Sequence, residues 1–529
     1  MHRFFCLLVF LAVSCVPVRA AAADQYKWRH RKVWGLIDSG KWAEAVQKLD
    51  PILVRHPNDL EAMYLLAVAH ANLDQSDRAL WYAKKAILAG MPATRFIVGP
   101  RVWTAPLVRH EKFAALLGER PPGIVHGPML GCIAATGARV WVRTAEEAGV
   151  TIRYCKADLG RAGRQQARTA EGHTKAGTDF TATIALTGLE PDTQYLYAAG
   201  MAGEAVPPAS DWKTFRTAPA TDAGSAFTIA FGGGAGYTPQ NERMWDVIRA
   251  RKPRALLLLG DNVYIDMPKN PNVQRYCYYR RQSRPEWQRL VAAIPVYTIY
   301  DDHDFGVNDC VPGHETFEPA WKPKVWEVFT ENWVNPGYGG GPKQPGCWYD
   351  FTIGDVHFIM LDGRYYRSLK KKSMLGPVQL QWLLDTLKTS RKTFKVLASP
   401  VPWAKGTKGR SRDTWDGFPQ EREQIFSFLE KNRIEGVVVL SADRHRSDAW
   451  KIERPAGYDL YEFESSRLTN VHSHSPMKKA LFSYNRKQSF GLIDFDTVAA
   501  DPTLTYRIVN IDGKEVYKLT LTGSQLARR

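Results

Sequence analysis

With 529 residues the chain exceeds one ordinary domain and predicts two or three. Its 44% hydrophobic and 24% charged residues are those of a globular protein. The net charge of +17 (71 basic, 54 acidic) suits an anionic partner. No long Lys/Arg tract or aromatic-interleaved basic repeat supports nucleic acid, so no nucleic-acid binding is expected. An anionic lipid surface, an anionic small substrate or a merely basic secreted protein remain.

The first residues, Met1-His2-Arg3, are positively charged and Phe4 to Val16 are apolar. Small residues at Val18-Arg19-Ala20 or Ala21-Ala22-Ala23 follow. This is a signal-peptide pattern over residues 1–23, with a retained anchor as the alternative, and it predicts export to the periplasm or the exterior. No later segment reaches the ~20 apolar residues of a membrane span, so an integral membrane protein is not expected. Cleavage leaves Cys132, Cys155, Cys277, Cys310 and Cys347, which cannot all pair. Cys132–Cys155 and Cys310–Cys347 are the expected disulfides.

Residues 24–120 read as helical hairpins, "GKWAEAVQKLDPILVRHPND" followed by "LEAMYLLAVAHANLDQSDRALWYAKKAILAGMP". Ala45 and Ala79 stand one tetratricopeptide period, about 34 residues, apart. Fewer than two repeats make no solenoid, so the segment is expected to pack on its neighbour or to dock a partner protein. Residues 121–220 switch to alternation in "ARVWVRT", "VTIRYCK", "FTATIAL", "TQYLYAAG" and "KTFRTAP", which predicts a β-sandwich. "LTGLEPDTQYLYAAG" resembles the fibronectin type III pattern, with Tyr195 expected to be structural.

From 221 to 529 apolar strands alternate with helices, the grammar of a layered α/β domain. Functional groups in such folds gather at strand carboxyl ends. Four such ends are polar here: Asp261-Asn262 with Tyr264; Asp301-Asp302-His303-Asp304; Asp362 with Arg364; and Asp443 with His445. Carboxylates brought together repel unless a cation lies among them. Oxygen ligands with one or two imidazoles and a phenol suit Ca, Mn, Mg, Zn or ferric iron.

These residues resemble the PhoD-type alkaline phosphatases of the calcineurin-like metallophosphatase superfamily. Gly260-Asp261-Asn262-Val263-Tyr264 is similar to GDxxY, Asp301-Asp302-His303-Asp304 to DDHE, and Leu361-Asp362-Gly363-Arg364 with Tyr366-Arg367 to LDxRxYR. Thr414-Trp415-Asp416-Gly417 is similar to SWDG and Ser441-Ala442-Asp443-Arg444-His445 to SGDVH. The resemblance implies a four-layer α/β/β/α domain and phosphomonoester or phosphodiester hydrolysis by a metal-bound hydroxide. It implies calcium with iron, or manganese or zinc, held by Asp261, Tyr264, Asp302, Asp443 and His445. His303 would protonate the leaving oxygen and Arg364 would hold the phosphate.

One stretch departs from the family. Where its members carry a metal-binding cysteine, "AFGGGAGY" has Gly233 or Gly234. Either water or a displaced residue fills the gap, or one metal is held loosely, or the site is degenerate. The usual asparagine or histidine after "KVLAS" is replaced by Ser399-Pro400. A non-catalytic phosphate- or metal-binding protein is therefore the rival reading. Trp415 and Asp416 are expected to pack a loop, and the His472-x-His474 pair to lie in a solvated one.

Overall fold

The computed structural model describes residues 25–117, 123–409 and 411–528. The expected signal peptide, residues 1–23, lies outside them.

The chain begins with helices α1 (Tyr26–Arg29), α2 (Arg31–Asp38), α3 (Trp42–Arg55), α4 (Leu60–Ala71) and α5 (Ser76–Leu88). Asp59 starts α4 by accepting from Ala62 N at 3.1 Å, which satisfies an orphan amide of its first turn. Helix α4 packs against both α3 and α5 and is apolar all round, so it is buried throughout its length from Ala62 to Ala71. The remaining cover comes from the α/β domain. Trp34 and Tyr276 pack with ring centroids 5.5 Å apart, and Tyr276 Oη donates to Glu61 at 2.6 Å. Asn270 and Asn272 donate to Asp38 at 2.9 and 3.0 Å. The helical segment thus rests on its own chain.

Seven strands follow: β1 (Ile124–Gly131), β2 (Gly137–Thr144), β3 (Gly149–Lys156), β4 (Arg168–His173), β5 (Thr181–Thr187), β6 (Gln194–Met201) and β7 (Lys213–Arg216). They form antiparallel sheets of order β1-β2-β5 and β4-β3-β6-β7. Both supply buried residues, among them Val140, Ile184, Ile152 and Tyr197, to one apolar cluster. Tyr195 Oη accepts from Glu190 N at 2.9 Å, a structural use as expected.

The disulfide expectation fails: all five cysteines among the described residues are free. Cys155 packs in a separate small cluster with Ala198 and Trp212, whereas Cys132 Sγ donates to Val334 O at 3.5 Å. The two thiols therefore face different surroundings. Cys310 lies against Gly306, and Cys347 is wholly buried with its amide on Asp362.

The α/β part has two sheets. One is built from β8 (Ala226–Gly232), β9 (Ala255–Leu259), β10 (Val296–Ile299) and, later in the chain, β18 (Ser489–Asp496), β19 (Thr503–Asn510) and β20 (Glu515–Thr522), in the order β10-β9-β8-β18-β19-β20. The other contains β11 (Tyr349–Ile353), β12 (Val356–Met360), β13 (Phe394–Ala398), β14 (Val437–Ser441), β15 (Ser447–Ile452), β16 (Leu460–Ser465) and β17 (Phe482–Tyr484), in the order β11-β12-β13-β14-β16-β15-β17. Strands β8, β9 and β10 are parallel to one another, as are β12, β13, β14 and β16. Their five-residue cores are fully buried, which is why they read as unbroken apolar runs. No helix among the described residues is long and apolar enough to cross a membrane.

Candidate metal and phosphoester site

The parallel strands of both sheets end toward one cleft. The chain leaves β9 through Gly260 into Asp261 and Tyr264, leaves β10 into Asp301, Asp302 and His303, and leaves β14 into Asp443 and His445. Five of these turn residues hold left-handed backbone: Asp261 (φ 57°), Tyr264 (55°), Asp266 (53°), Asp443 (68°) and His445 (47°). Such conformations cost about 1–3 kcal/mol each outside glycine and gather at functional sites. Asp304 fixes the first turn by accepting from Asn262 N at 2.8 Å and Val263 N at 2.9 Å.

Ligand atoms of Asp261, Asp302 and His303 lie within 4.8 Å of one another. His445 Nε2 is 3.9 Å from Asp261 Oδ2 and 2.8 Å from Tyr264 Oη. Four of the five expected metal ligands thus converge. Asp443 lines the same cleft, but its carboxylate turns to Arg444 and Lys408 at 3.4 and 3.5 Å.

Both oxygens of Asp261 are buried and have no hydrogen-bond partner. An unpaired buried carboxylate is costly unless a cation joins it, so the donor set fits a metal. Burial, with the Asp261 charge, pushes the Tyr264 phenol well above its ordinary range, so only a nearby cation makes it a phenolate ligand.

His303 Nδ1 meets both oxygens of Asp266, at 2.8 and 2.9 Å. Burial pulls this imidazole down, but Asp302, Asp261 and Asp266 outweigh it and push it up to about 10. The ring is held through Nδ1 by Asp266, and it stacks on Tyr264 with centroids 4.5 Å apart. Asp266 stands two residues beyond the GDxxY pattern, in "DNVYID", and motif matching passes over it.

The cleft has a volume of about 720 Å³, and its lining includes residues from helix α1 and its surroundings. Trp28 packs 5.7 Å from the rings of both Tyr264 and His303. Lys27 is only 4% exposed, and its Nζ sits 3.8 Å over the Tyr264 ring. Among the described residues this ammonium makes no hydrogen bond or ion pair. Burial pulls it down to about 8 against the attraction of Asp261, Asp266 and Asp302. Asp59 anchors the helix by accepting from Tyr26 Oη at 2.9 Å and from Arg29 at 2.8 Å.

The profile of the PhoD-like phosphatases matches residues 229–522, more than half of the chain and all of these strand ends. The chain belongs to the PhoD-like phosphatase family. A domain of unknown function (DUF7800) matches residues 121–219. Alkaline phosphatase D of Bacillus subtilis (strain 168) is 26% identical over 310 residues, 49% of this chain and 52% of that protein. Purple acid phosphatase 23 of Arabidopsis thaliana is 24% identical over 230 residues, 39% of this chain and 47% of that protein. The chain spans about half the length of these curated relatives. A PhoD structure superposes with a TM-score of 0.62 at 19% identity, covering 76% of this chain and 90% of that one. A purple acid phosphatase from yellow lupin seeds gives 0.55 at 12%, covering 76% and 75%. Both show the metallophosphatase fold.

Within this PhoD-like phosphatase, three expectations change. Arg364 does not present a free fork to a phosphate. It is fully buried, with Nε on Asp301, Nη1 on Asp413 at 2.5 Å and Nη2 3.6 Å from Asp302. Arg367 and Lys408 also reach Asp413, each at 2.5 Å. A guanidinium surrounded by carboxylates is held by them, and its role here is charge balance.

The glycine run proves to be a packing requirement. A Cβ on Gly233 would stand 2.6 Å from the Ala442 Cβ and 3.0 Å from Gly260 O. Gly234 has φ 67°, and a Cβ there would meet Arg467 N at 2.8 Å. Neither position has room for a cysteine. A Cβ on Gly236 would meet Lys27 Cδ at 2.9 Å, so this glycine opens the channel that the lysine fills.

The His472-x-His474 pair is not in a free loop. Its ligand nitrogens lie within 4.8 Å of that of His445. Ser399 Oγ is occupied by Val401 O and by Trp415 Nε1 at 3.1 Å, so it offers no ligand. Trp415 stacks on Trp403 at 4.1 Å and Asp416 accepts from Gly406 N at 2.7 Å, the loop packing expected of them.

Proposed function

We propose that this PhoD-like phosphatase is an exported, metal-dependent hydrolase of phosphomonoesters or phosphodiesters. The observation that carries the reading is Asp261: its two buried, unpartnered oxygens face Asp302, His303 and His445, and only a cation completes that set. Asp261, Tyr264, Asp302 and His445 would hold the metal, with calcium, iron, manganese and zinc all compatible with oxygen, phenol and imidazole donors. When bound, metal ions supply positive charge to the phosphoryl oxygens and acidify the attacking water. Asp266 holds the His303 proton on Nδ1 and leaves Nε2–H to protonate the departing oxygen. Lys27 takes the phosphate-binding part that Arg364 cannot play, because among the described residues its ammonium is pinned by no hydrogen bond or ion pair and it borders the cleft. Trp28 helps exclude water over His303 and Tyr264.

The test is elemental analysis beside assays on a model monoester and a model diester. Wild-type protein should hold metal and hydrolyse at least one of them, and Asp261→Asn should lose both properties. Lys27→Met should weaken inhibition by inorganic phosphate about 10–100-fold, the loss of a hydrogen bond to a charged group worth about 1.5–3 kcal/mol. Metal without turnover on any phosphoester would favour the binding-protein reading. Export is checked by the N-terminal sequence of the natural protein, which should begin after Ala20 or Ala23.

A further inference from the structure

Beside the carboxylate cluster, the cleft contains a group of three imidazoles that the reading above does not use as a set. His472 and His474 lie in "NVHSHSP", the segment that follows β16. Their ring centroids are 5.0 and 5.5 Å from that of His445 and 4.7 Å from each other. One ligand nitrogen of each lies within 4.8 Å of the other two.

His445 has two distinct nitrogens. Nε2 is engaged by Tyr264 Oη at 2.8 Å and by Asn470 Nδ2 at 3.3 Å. Nδ1 is buried and has no hydrogen-bond partner. A buried imidazole nitrogen without a partner is uncommon, because the desolvation goes uncompensated.

The segment bearing the other two rings is tied in place. Asn470 donates to Tyr264 Oη at 2.8 Å, and its own Oδ1 accepts from His472 N at 3.1 Å. Asn485 donates to His474 O at 2.9 Å and Gln488 to Asn470 O at 3.0 Å. Three imidazoles are thus brought together by anchored backbone, with the cleft on their open side.

We propose that His445 Nδ1, His472 and His474 form a second metal site that takes a first-row divalent ion of the zinc class, with the His445 ring proton released to solvent on binding so that the resulting imidazolate keeps Nε2 for the Asp261 cluster. Three nitrogen ligands with an open fourth position suit zinc, nickel or copper, whereas calcium and magnesium prefer oxygen. Zinc–nitrogen bonds of about 2.0–2.1 Å put tetrahedral ligand atoms about 3.4 Å apart. The three ligand nitrogens lie within 4.8 Å of one another, and rotation of the half-buried His472 and His474 rings would bring them to that spacing. The histidine segment is the neighbour of Gly233 and Gly234, whose carbonyls accept from Leu468 N and Asn470 N and whose packing leaves no room for a thiolate.

The test uses full-length protein dialysed against zinc in the presence of calcium, with metal content by mass spectrometry and affinity by competition with a chelator. His472→Ala/His474→Ala should lose one zinc per chain and keep its calcium. Asp261→Asn should keep that zinc. Zinc absorption spectroscopy on wild-type protein at one equivalent should report three nitrogen neighbours near 2.0–2.1 Å. That measurement needs no variant, so misfolding of the double variant cannot shield the proposal. Wild-type zinc stoichiometry and affinity in a folded double variant, or an oxygen-only shell around the zinc, overturns it. Phosphoester turnover plays no part in these readouts, so failure here leaves the hydrolase reading standing.

Discussion

Arg364 separates two accounts of one residue. Arg364→Met removes the only cation paired with Asp301 among the described residues, and Asp301 Oδ2 already has no partner. Asp413 keeps Arg367 and Lys408. Burial, with the charges of Asp302 and Asp261, pushes the Asp301 carboxyl up, and the Arg364 guanidinium is what opposes that shift. Breaking a buried pair by removing one partner costs about 3–5 kcal/mol. At about 1–2 °C per kcal/mol for a chain of this size, the melting midpoint should fall by roughly 3–10 °C. Replacing both charges, as in Asp301→Asn/Arg364→Met, should recover about 2 kcal/mol or more, because a buried pair exchanged for uncharged groups is often neutral. Urea unfolding of the four proteins of this cycle measures the coupling, and inhibition by inorganic phosphate is measured alongside. A folded Arg364→Met with an unchanged midpoint and phosphate inhibition weakened tenfold or more would refute the reasoning and restore the arginine as a phosphate clamp.

Three further outcomes are expected. His303→Gln should lower turnover by roughly 10²–10⁴, the range of a general acid, with metal content by elemental analysis nearly unchanged; equal losses of metal and activity would make His303 a ligand instead. Gly233→Ala should destabilise by about 1–3 kcal/mol in denaturant unfolding, because its Cβ would stand 2.6 Å from the Ala442 Cβ, and Ala442→Gly should relieve much of that. Burial raises Asp59, but bonds from His30, Arg29 and Ala62 N outweigh it and hold the folded carboxyl below its ordinary value. Its contribution is therefore present above the unfolded pKa of about 3.9 and is lost as the pH falls through the depressed folded value. The stability gap between wild type and Asp59→Asn should be constant from pH 7 to 5 and narrow below about pH 4; a gap that widens in acid contradicts the assignment.

The catalytic part of the fold was legible because its strands are short, buried on both faces and therefore written as unbroken apolar runs such as "ALLLL" and "VVVLS", each ending in polar residues. The same local rule brought Asp261, Tyr264, Asp302, His303 and His445 into view, since a strand end dictates where its next side chains go. What lay beyond reach was everything set by contact between distant segments. Lys27 looks like one basic residue in a helical stretch until α1 is docked by Asp59 and passes over Gly236. The His472-x-His474 spacing is visible in the sequence and reads as a solvated loop, and only the adjacency of β14 and β16 in the sheet brings that segment to His445. The sequence shows that Arg364 is a cation near acidic strand ends, but burial among Asp301, Asp302 and Asp413 decides that its charge is spent inside the protein. A sequence states the charge and shape of a side chain, whereas its partner is chosen by which surfaces the folded chain presses together and which of them exclude water.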